Sequence, residues 1–212
     1  MRALGRFTRD AGHRQSTGTV CELCSQPIGE PHSHVVDLEA RAICCACRPC
    51  ALLFETPGAA KGRWRTVPTR FHRWEPSAEE EAVLARLQLP VGLAFFFFNS
   101  RLGRWVAHYP GPAGPIASEL PLEAWEALAK VNPLLSAAAP DVEAVLVHTP
   151  RGAARGRWFL VPIDACYELV GLLRTHWRGF DGGSEAKAQL EAFFASVDRR
   201  SRPLRADSPG GA

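Results

Sequence analysis

Runs of apolar residues after about residue 77 predict a domain of mixed α and β structure. Four of these runs are short and rich in aromatic and β-branched residues, which favours β-strands. They span residues 91–100, 104–110, 142–150 and 157–163. The first run contains AFFFF, which has no polar face, so we expect a central strand that is buried on both sides. The runs form two pairs, each joined by a short loop, which predicts an antiparallel sheet of about four strands.

Four further segments repeat apolar residues three and four positions apart, as on one face of an α-helix. These segments are 77–88, 120–132, 164–177 and 184–200. Ser77 and Glu80 stand three residues apart at the start of the first segment, where they can form a capping box. Asp164 is the expected N-cap of the third helix. The predicted fold class is therefore α+β, with the antiparallel sheet covered by helices.

A Gly-Arg-Trp triplet occurs three times, within residues 61–68, 102–110 and 155–162, each time before a run that ends in proline. Glycine permits the positive φ of a tight hairpin turn, and proline ends a strand because it has no N–H to donate. The last two copies each precede a predicted helix. Two interpretations stay open: a duplicated strand–strand–helix unit, or hairpins that share a composition.

The remaining segments differ from the α+β domain in composition. Both chain ends carry arginines without hydrophobic periodicity, which predicts a flexible tail at 1–19 and a disordered tail at 199–212. Residues 20–55 contain most of the cysteines and form the predicted metal knuckle. Residues 56–76 are rich in Pro, Gly and Arg and are the expected linker to the α+β domain at 77–198.

Six of the seven cysteines lie between residues 21 and 50. The N-terminus has no apolar stretch typical of a secretory signal, so we expect a cytoplasmic location, where clustered cysteines bind metals more often than they form disulfides. Cys21 and Cys24 form one Cys-x-x-Cys pair and Cys47 and Cys50 another, at a spacing typical of a small zinc-ribbon or rubredoxin-like knuckle. Four thiolates complete a tetrahedral site, so a structural zinc ion is the expected occupant.

Iron is the alternative metal, and it would make the chain an electron-transfer protein. Cys44, Cys47 and Cys50 also form a Cys-x-x-Cys-x-x-Cys run, which is typical of iron–sulfur ligation. A single iron ion held by the two pairs fits equally well. Ser25 and Ala51, however, stand where rubredoxin knuckles usually carry glycine, which disfavours that option.

Three residues near the pairs are reserve ligands: Cys45, Cys44 and His34. Cys44 and Cys45 are adjacent and would point to opposite faces of a strand, so at most one can face the metal. His34 and His32 could each replace a thiolate, but four thiolates suffice, and a surface or hydrogen-bonded histidine is the favoured interpretation. Cys166 lies among apolar residues on a predicted helix and is expected to be a small core residue.

We predict no catalytic residues. The sequence has no phosphate-binding glycine loop and no hydrolase motif, and Cys166 and His176 would lie nearly three turns apart on one helix. The 25 basic residues are nearly balanced by 22 acidic ones, so a zinc-ribbon nucleic-acid-binding protein is only the third hypothesis. The apolar run at 89–98 is about half of a membrane span, so no membrane insertion is expected. These observations favour a non-catalytic protein that acts through protein–protein contacts.

Several stretches resemble an uncharacterised bacterial family: CELC, HVVDL, CACRPCALLF, VGLAFFFFNS, LVPIDACYELVGLLR and HWRGFDGG. That family is associated with gene clusters of actinobacterial-type, high-affinity nickel–iron hydrogenases, and the resemblance covers nearly the whole chain after the N-terminal tail. It implies a cytoplasmic accessory protein that assists hydrogenase assembly, maturation or electron supply, with hydrogenase subunits or maturation factors as partners. The matched pattern includes Cys45, which makes Cys45 a better reserve ligand than Cys44.

Overall fold

The structure, a computed structural model, describes residues 19–87, 92–111, 114–117, 123–150, 152–153, 155–178 and 182–204. In chain order its strands are β1 Ser33–Asp37, β2 Ala42–Ala46, β3 Trp64–Thr66, β4 His72–Trp74, β5 Leu93–Asn99, β6 Arg104–Gly111, β7 Gly114–Ala117, β8 Glu143–His148, β9 Arg157–Pro162 and β10 Arg202–Pro203. Its helices are α1 Arg48–Leu52, α2 Ala78–Arg86, α3 Glu123–Val131, α4 Pro133–Ala137, α5 Ile163–His176 and α6 Gly183–Arg200. The fold is of the α+β class, as predicted, and none of the helices formed by these residues is long and apolar enough to cross a membrane.

A small sheet contains the cysteine-rich segment. Its strand order is β2-β1-β3, and both outer strands run antiparallel to β1. Successive side chains of a strand point to opposite faces. Val35 of β1 accordingly packs in a small apolar cluster with Cys21, whereas Val36 joins the large core of the protein. One face of the small sheet therefore covers its own small core, and the other face lies against the main body.

The large sheet has seven strands in the order β10-β4-β9-β8-β5-β6-β7, which corrects the prediction of about four. Neighbouring strands are antiparallel except β10 and β4, which are parallel. The four predicted strands are β5, β6, β8 and β9, and they form the middle of the sheet. The additional strands β4, β7 and β10 are two to four residues long, which is too short for a recognisable hydrophobic alternation.

The predicted linker and tail both contribute to the sheets. Segment 56–76 supplies β3 to the small sheet and β4 to the large one. The first residues of the predicted tail at 199–212 complete α6 and form β10, because the Arg200 guanidinium lies 3.8 Å from the centre of the Phe71 ring. The backbone N–H of Arg202 also donates to the Phe71 carbonyl. Outside the described residues lie 205–212 and, of the predicted N-terminal tail, 1–18.

Strand β5 is buried on both faces, as its AFFFF sequence predicts. Phe95 and Phe96 are both 0% exposed and belong to two different cores. Phe95 packs with residues of α5 and α6. Phe96 packs against α3, where the ring centre of Trp125 lies 3.9 Å from its own. Helices therefore cover both faces of the large sheet.

Two of the three Gly-Arg-Trp triplets supply rings to the same core. Trp64, Trp105 and Trp158 lie in β3, β6 and β9. The rings of Trp105 and Trp158 lie 6.0 and 5.8 Å from the ring of Trp125, measured between centres. The hairpins β5–β6 and β8–β9 stand side by side, with β5 paired to β8. This arrangement is compatible with a duplicated unit, which stays a prediction.

The two predicted helix caps have different outcomes. Ser77 is the N-cap of α2, and its capping box with Glu80 is confirmed, because each side chain accepts a hydrogen bond from the other's backbone N–H. Asp164 is not the N-cap of α5, so that prediction was wrong. Strand β9 runs directly into α5, which places Pro162 at the cap position. The Asp164 carboxylate instead reaches the small sheet.

Candidate metal centre

The structure brings together the four cysteines of the two Cys-x-x-Cys pairs. The Sγ atoms of Cys21, Cys24, Cys47 and Cys50 all lie within 4.8 Å of one another. The Sγ atoms of Cys24 and Cys47 are 3.7 Å apart. All seven cysteines of the chain have free thiols. These four residues, which we call the tetrathiolate group, could bind a metal ion, since zinc and iron both accept four thiolates.

The first pair lies on a tight turn. The backbone N–H of Ser25 donates to the Cys21 carbonyl, and the N–H of Cys21 donates to the Gln26 carbonyl, both at 2.8 Å. Ser25 has a φ of 60°, in the left-handed region that normally favours glycine. A knuckle-type turn therefore forms here although serine occupies the usual glycine position.

The second pair lies on the first turn of a helix. Cys47 is the N-cap of α1, and Cys50 follows within the helix. Pro49 suits this first turn because it has no N–H that would need an acceptor. The N–H of Ala51 donates to the Cys47 carbonyl, so Ala51 has ordinary helical geometry and glycine is not needed there.

Few apolar residues surround the tetrathiolate group. The buried members of its cluster are Cys21, Val35, Ala46 and Ala51. Two hydrogen bonds join the first turn to β2. The Glu22 N–H donates to the Cys45 carbonyl at 2.8 Å, and the Glu22 carboxylate accepts from the Cys45 N–H. Partly buried Leu23, Ile28, Phe54 and Trp64 pack against this cluster. A core of this size contributes little burial of apolar surface within the module.

Neighbouring groups shift the pKa values of Cys21 and Cys50. Burial acts to raise the pKa of Cys21, but backbone N–H groups directed at its sulfur lower that pKa to about 6. The pKa of Cys50 is raised to about 12 because its thiol lies beside those of Cys47 and Cys24 and because Cys21 carries charge nearby. A divalent cation among the sulfurs would remove this repulsion between thiolates. The electrostatics of the group therefore favour a bound metal ion.

The reserve ligands do not join the tetrathiolate group. Cys44 is the cross-strand partner of Val35, and Cys45 is the cross-strand partner of His34. Cys44 and Cys45 thus point to opposite faces of the small sheet. The ligand atoms of Cys45, His34 and His32 form a separate group, in which all lie within 4.8 Å of one another.

Both histidines of this second group are held by oxygen acceptors. His34 Nδ1 lies 2.7 Å from Asp164 Oδ2 at the start of α5, and this contact raises the pKa of His34. His32 Nδ1 lies 3.2 Å from the Gly29 carbonyl oxygen and 3.2 Å from a Glu30 carboxylate oxygen. The interpretation of hydrogen-bonded histidines is therefore confirmed. Sequence reasoning missed their grouping with Cys45, for which the His-x-His spacing at the start of β1 was the available signal.

A cavity of about 1120 Å³ lies between the small sheet and the large one. His32, His34 and Cys45 line it from the small sheet. Phe97 and His108 line it from β5 and β6. The second group of ligands therefore faces an open space, and the tetrathiolate sulfurs are not part of the cavity lining.

Cys166 and His176 of α5 do not form a site. Cys166 is 0% exposed within the large core, as predicted, and burial raises the pKa of its thiol. His176 lies at the other end of the helix, where its Nδ1 is 2.7 Å from a Glu185 carboxylate oxygen.

Together, the fold and the site define a two-sheet α+β protein with a group of four cysteines that could bind a metal ion. The chain belongs to a family described as a family of unknown function (DUF5947), whose match covers residues 20–201. The matched range includes every cysteine and all strands except β10. No curated protein and no solved structure matches the chain.

Proposed function

We propose that the chain is a non-catalytic, zinc-binding accessory protein. The observation that supports this proposal most is the convergence of four Sγ atoms within 4.8 Å from two Cys-x-x-Cys pairs. A tetrahedral zinc ion bound by four cysteines has no position left for a substrate. The metal ion in this group therefore has a structural role.

The small core around the tetrathiolate group supports a structural metal. Binding of a structural zinc ion contributes directly to folding free energy, which a module with few buried apolar residues otherwise lacks. The ion joins the first turn, which precedes β1, to α1, which follows β2. It thereby fixes the ends of the β1–β2 hairpin relative to each other.

The proposed action is contact with a protein partner. Leu52 and Leu53 follow Ala51 at the end of α1, and they are 48% and 67% exposed. Adjacent exposed leucines beside a metal-stabilised helix provide an apolar surface that a partner can cover. The resemblance described above favours subunits or maturation factors of a nickel–iron hydrogenase as the partner.

Metal analysis tests the first part of this proposal. The protein is purified anaerobically without a metal-chelating tag, and its metals are counted by mass spectrometry beside a visible spectrum. We expect zinc that is lost in Cys47→Ser and retained in Cys44→Ser. Metal content that is the same in both variants would contradict the assignment.

A genetic experiment tests the proposed partner. In a host that carries this gene and a nickel–iron hydrogenase, deletion should lower hydrogenase activity, and the wild-type gene should restore it. The Cys47→Ser gene should not restore activity, whereas the Cys44→Ser gene should. Full hydrogenase activity in the deletion strain would contradict the accessory role.

Electron transfer is the second candidate function. Cys24 is exposed, so one sulfur of the tetrathiolate group lies at the protein surface, where an electron could leave a bound iron ion. An iron tetrathiolate absorbs visible light, whereas zinc is spectroscopically silent. Iron and visible absorption in the purified protein would favour this candidate over the zinc protein.

A further inference from the structure

The second ligand group lies on the opposite face of the β1–β2 hairpin from the tetrathiolate group. His34 and Cys45 are directly opposite each other on neighbouring strands. His32 precedes His34 by two positions, and all three ligand atoms lie within 4.8 Å of one another. Val35, the residue after His34, points to the other face and packs in the cluster of the tetrathiolate group. The alternation of side chains along β1 therefore separates the two groups.

We propose that His32, His34 and Cys45 form a second metal site, which binds a divalent ion of the zinc type and keeps one coordination position open toward the cavity. Imidazole and thiolate ligands together suit Zn²⁺ and the neighbouring ions Co²⁺ and Ni²⁺. Three protein ligands with a free fourth position are typical of zinc sites that act on a substrate, in contrast to closed structural sites. The site has its own ligands, none of which belongs to the tetrathiolate group.

The hydrogen bonds of the two histidines use Nδ1, so Nε2 of each ring stays available to bind a metal ion. In both rings Nδ1 faces oxygen acceptors, so Nδ1 carries the proton and Nε2 keeps its lone pair. The His32 side chain is only 8% exposed. Its Nε2 is buried and has no hydrogen-bond partner among the described residues. A buried polar atom without a partner destabilises a fold, and a bound metal ion would satisfy it.

Asp164 positions one of the ligands. Its Oδ2 accepts from His34 Nδ1, and its Oδ1 accepts from the Ala165 N–H. A carboxylate behind a metal-binding histidine fixes the ring orientation and makes the nitrogen a better ligand. The proposed site therefore joins the small sheet to α5 of the main body.

The ligand spacing and the cavity fit an open site. A zinc ion about 2.0–2.3 Å from each ligand atom requires ligand atoms roughly 3.5 Å apart. The three ligand atoms lie within 4.8 Å of one another, so the side chains must move closer together to bind an ion. All three residues line the cavity of about 1120 Å³. A space of that size can admit a small molecule to the fourth position.

Loading with Co²⁺ tests the proposal. The purified full-length protein is incubated with excess Co²⁺ under reducing conditions and desalted, and its metals are counted beside the visible spectrum. We expect one more metal ion per chain in the wild type than in Cys45→Ser or His34→Gln, together with Co²⁺ absorption that both variants lack. Cys44→Ser is the matched control, because Cys44 is the neighbouring half-buried cysteine on the other face. Equal metal content in all four proteins would overturn the proposal.

His32→Gln guards against loss of folding. His32 precedes β1, so this substitution leaves both strands of the hairpin intact. We expect it to remove the same metal equivalent while the far-ultraviolet circular dichroism stays that of the wild type. A His32→Gln protein that retains the second ion would contradict the ligand assignment.

Two further comparisons separate this proposal from the proposed function and test the open position. Loss of one ion in Cys45→Ser but of none in Cys47→Ser would leave the second site standing and reject the tetrathiolate metal. The reverse result would reject the second site alone. Azide added to the Co²⁺-loaded wild type should shift the absorption bands, since it can occupy an open position. Unchanged bands would show a closed site and overturn that part of the proposal.

Discussion

The two faces of the β1–β2 hairpin carry similar ligand atoms in different surroundings. On one face, Cys21 and Cys47 belong to a compact group of four sulfurs with a small apolar cluster around it. On the other face, His34 and Cys45 belong to a group of three ligands beside a large cavity. The group of four ligands thus lies away from the cavity, and the group of three ligands lies beside it. Both groups depend on the same two strands.

This difference shows how one hairpin can provide a closed and an open metal site. The cysteines of the tetrathiolate group come from segments before and after the hairpin, which would surround a bound ion. The second group draws its ligands from the hairpin and the residues just before it, and its remaining side is left to the main body of the protein.

Loss of the tetrathiolate metal should have the largest effect. Structural zinc binding is worth about 10–16 kcal/mol in small zinc-finger peptides, so Cys47→Ser should unfold the module at 20–55. Hydrogen–deuterium exchange should show lost protection in β1 and β2 and retained protection in β5 and β8. Cys44→Ser should keep wild-type protection. Unchanged protection of β1 in Cys47→Ser would contradict a structural metal.

Truncation in the large core should leave the metals in place. Trp125 is 0% exposed and contacts Phe96 and Trp158, so Trp125→Ala should lower the free energy of unfolding by about 3–5 kcal/mol. Denaturant titration measures this change. The metal content per chain should stay that of the wild type, and a loss of metal in this variant would show that the two regions do not behave separately.

Replacement of the positioning carboxylate should weaken only the second site. Asp164→Asn loses the charged acceptor of His34, so its Co²⁺ affinity at the second site should fall about 10- to 100-fold. Competition with a chelator of known affinity measures this change. Glu168→Gln is the matched control, since Glu168 also belongs to α5 and lines the same cavity. Equal Co²⁺ affinities in both variants would contradict the role of Asp164 in positioning His34.

A change of one pH unit should have the smallest effect, and it should act on the large core. Burial and the neighbouring Arg157 guanidinium lower the pKa of His148 to about 4, and Arg157 donates to its Nδ1 at 2.9 Å. Between about pH 6.5 and pH 4, His148 therefore binds more proton in the unfolded chain than in the folded one. The contribution of His148 to stability is complete above this range and is lost as the pH decreases through it. The expected slope is at most about 1.4 kcal/mol per pH unit. His148→Phe should reduce this slope in denaturant titrations at pH 7 and pH 5, and an identical slope in both proteins would contradict the role of His148.

The sequence predicted those parts of the fold that have long hydrophobic patterns. The strands β5, β6, β8 and β9 and the capping box at Ser77 follow from local residue order. Strands β4, β7 and β10 are too short for such a pattern, and their pairing depends on distant segments. The contact between Arg200 and Phe71 is one example, because neither residue reveals the other in the sequence.

The candidate sites could be predicted to different degrees for a similar reason. The spacing of the two Cys-x-x-Cys pairs indicated the tetrathiolate group directly. The second group depends on the register that places His34 opposite Cys45, and residue spacing alone does not define that register. Asp164 lies 130 positions further along the chain than His34, so only the folded structure could bring it to the site.

Anomalous X-ray diffraction from crystals of the zinc-loaded protein tests most directly whether the hairpin separates two metal sites. We expect two anomalous peaks at the zinc edge. One should lie among the sulfurs of Cys21, Cys24, Cys47 and Cys50, and the other between His32, His34 and Cys45. A single peak, or one ion that binds Cys45 together with the other four thiolates, would contradict this expectation.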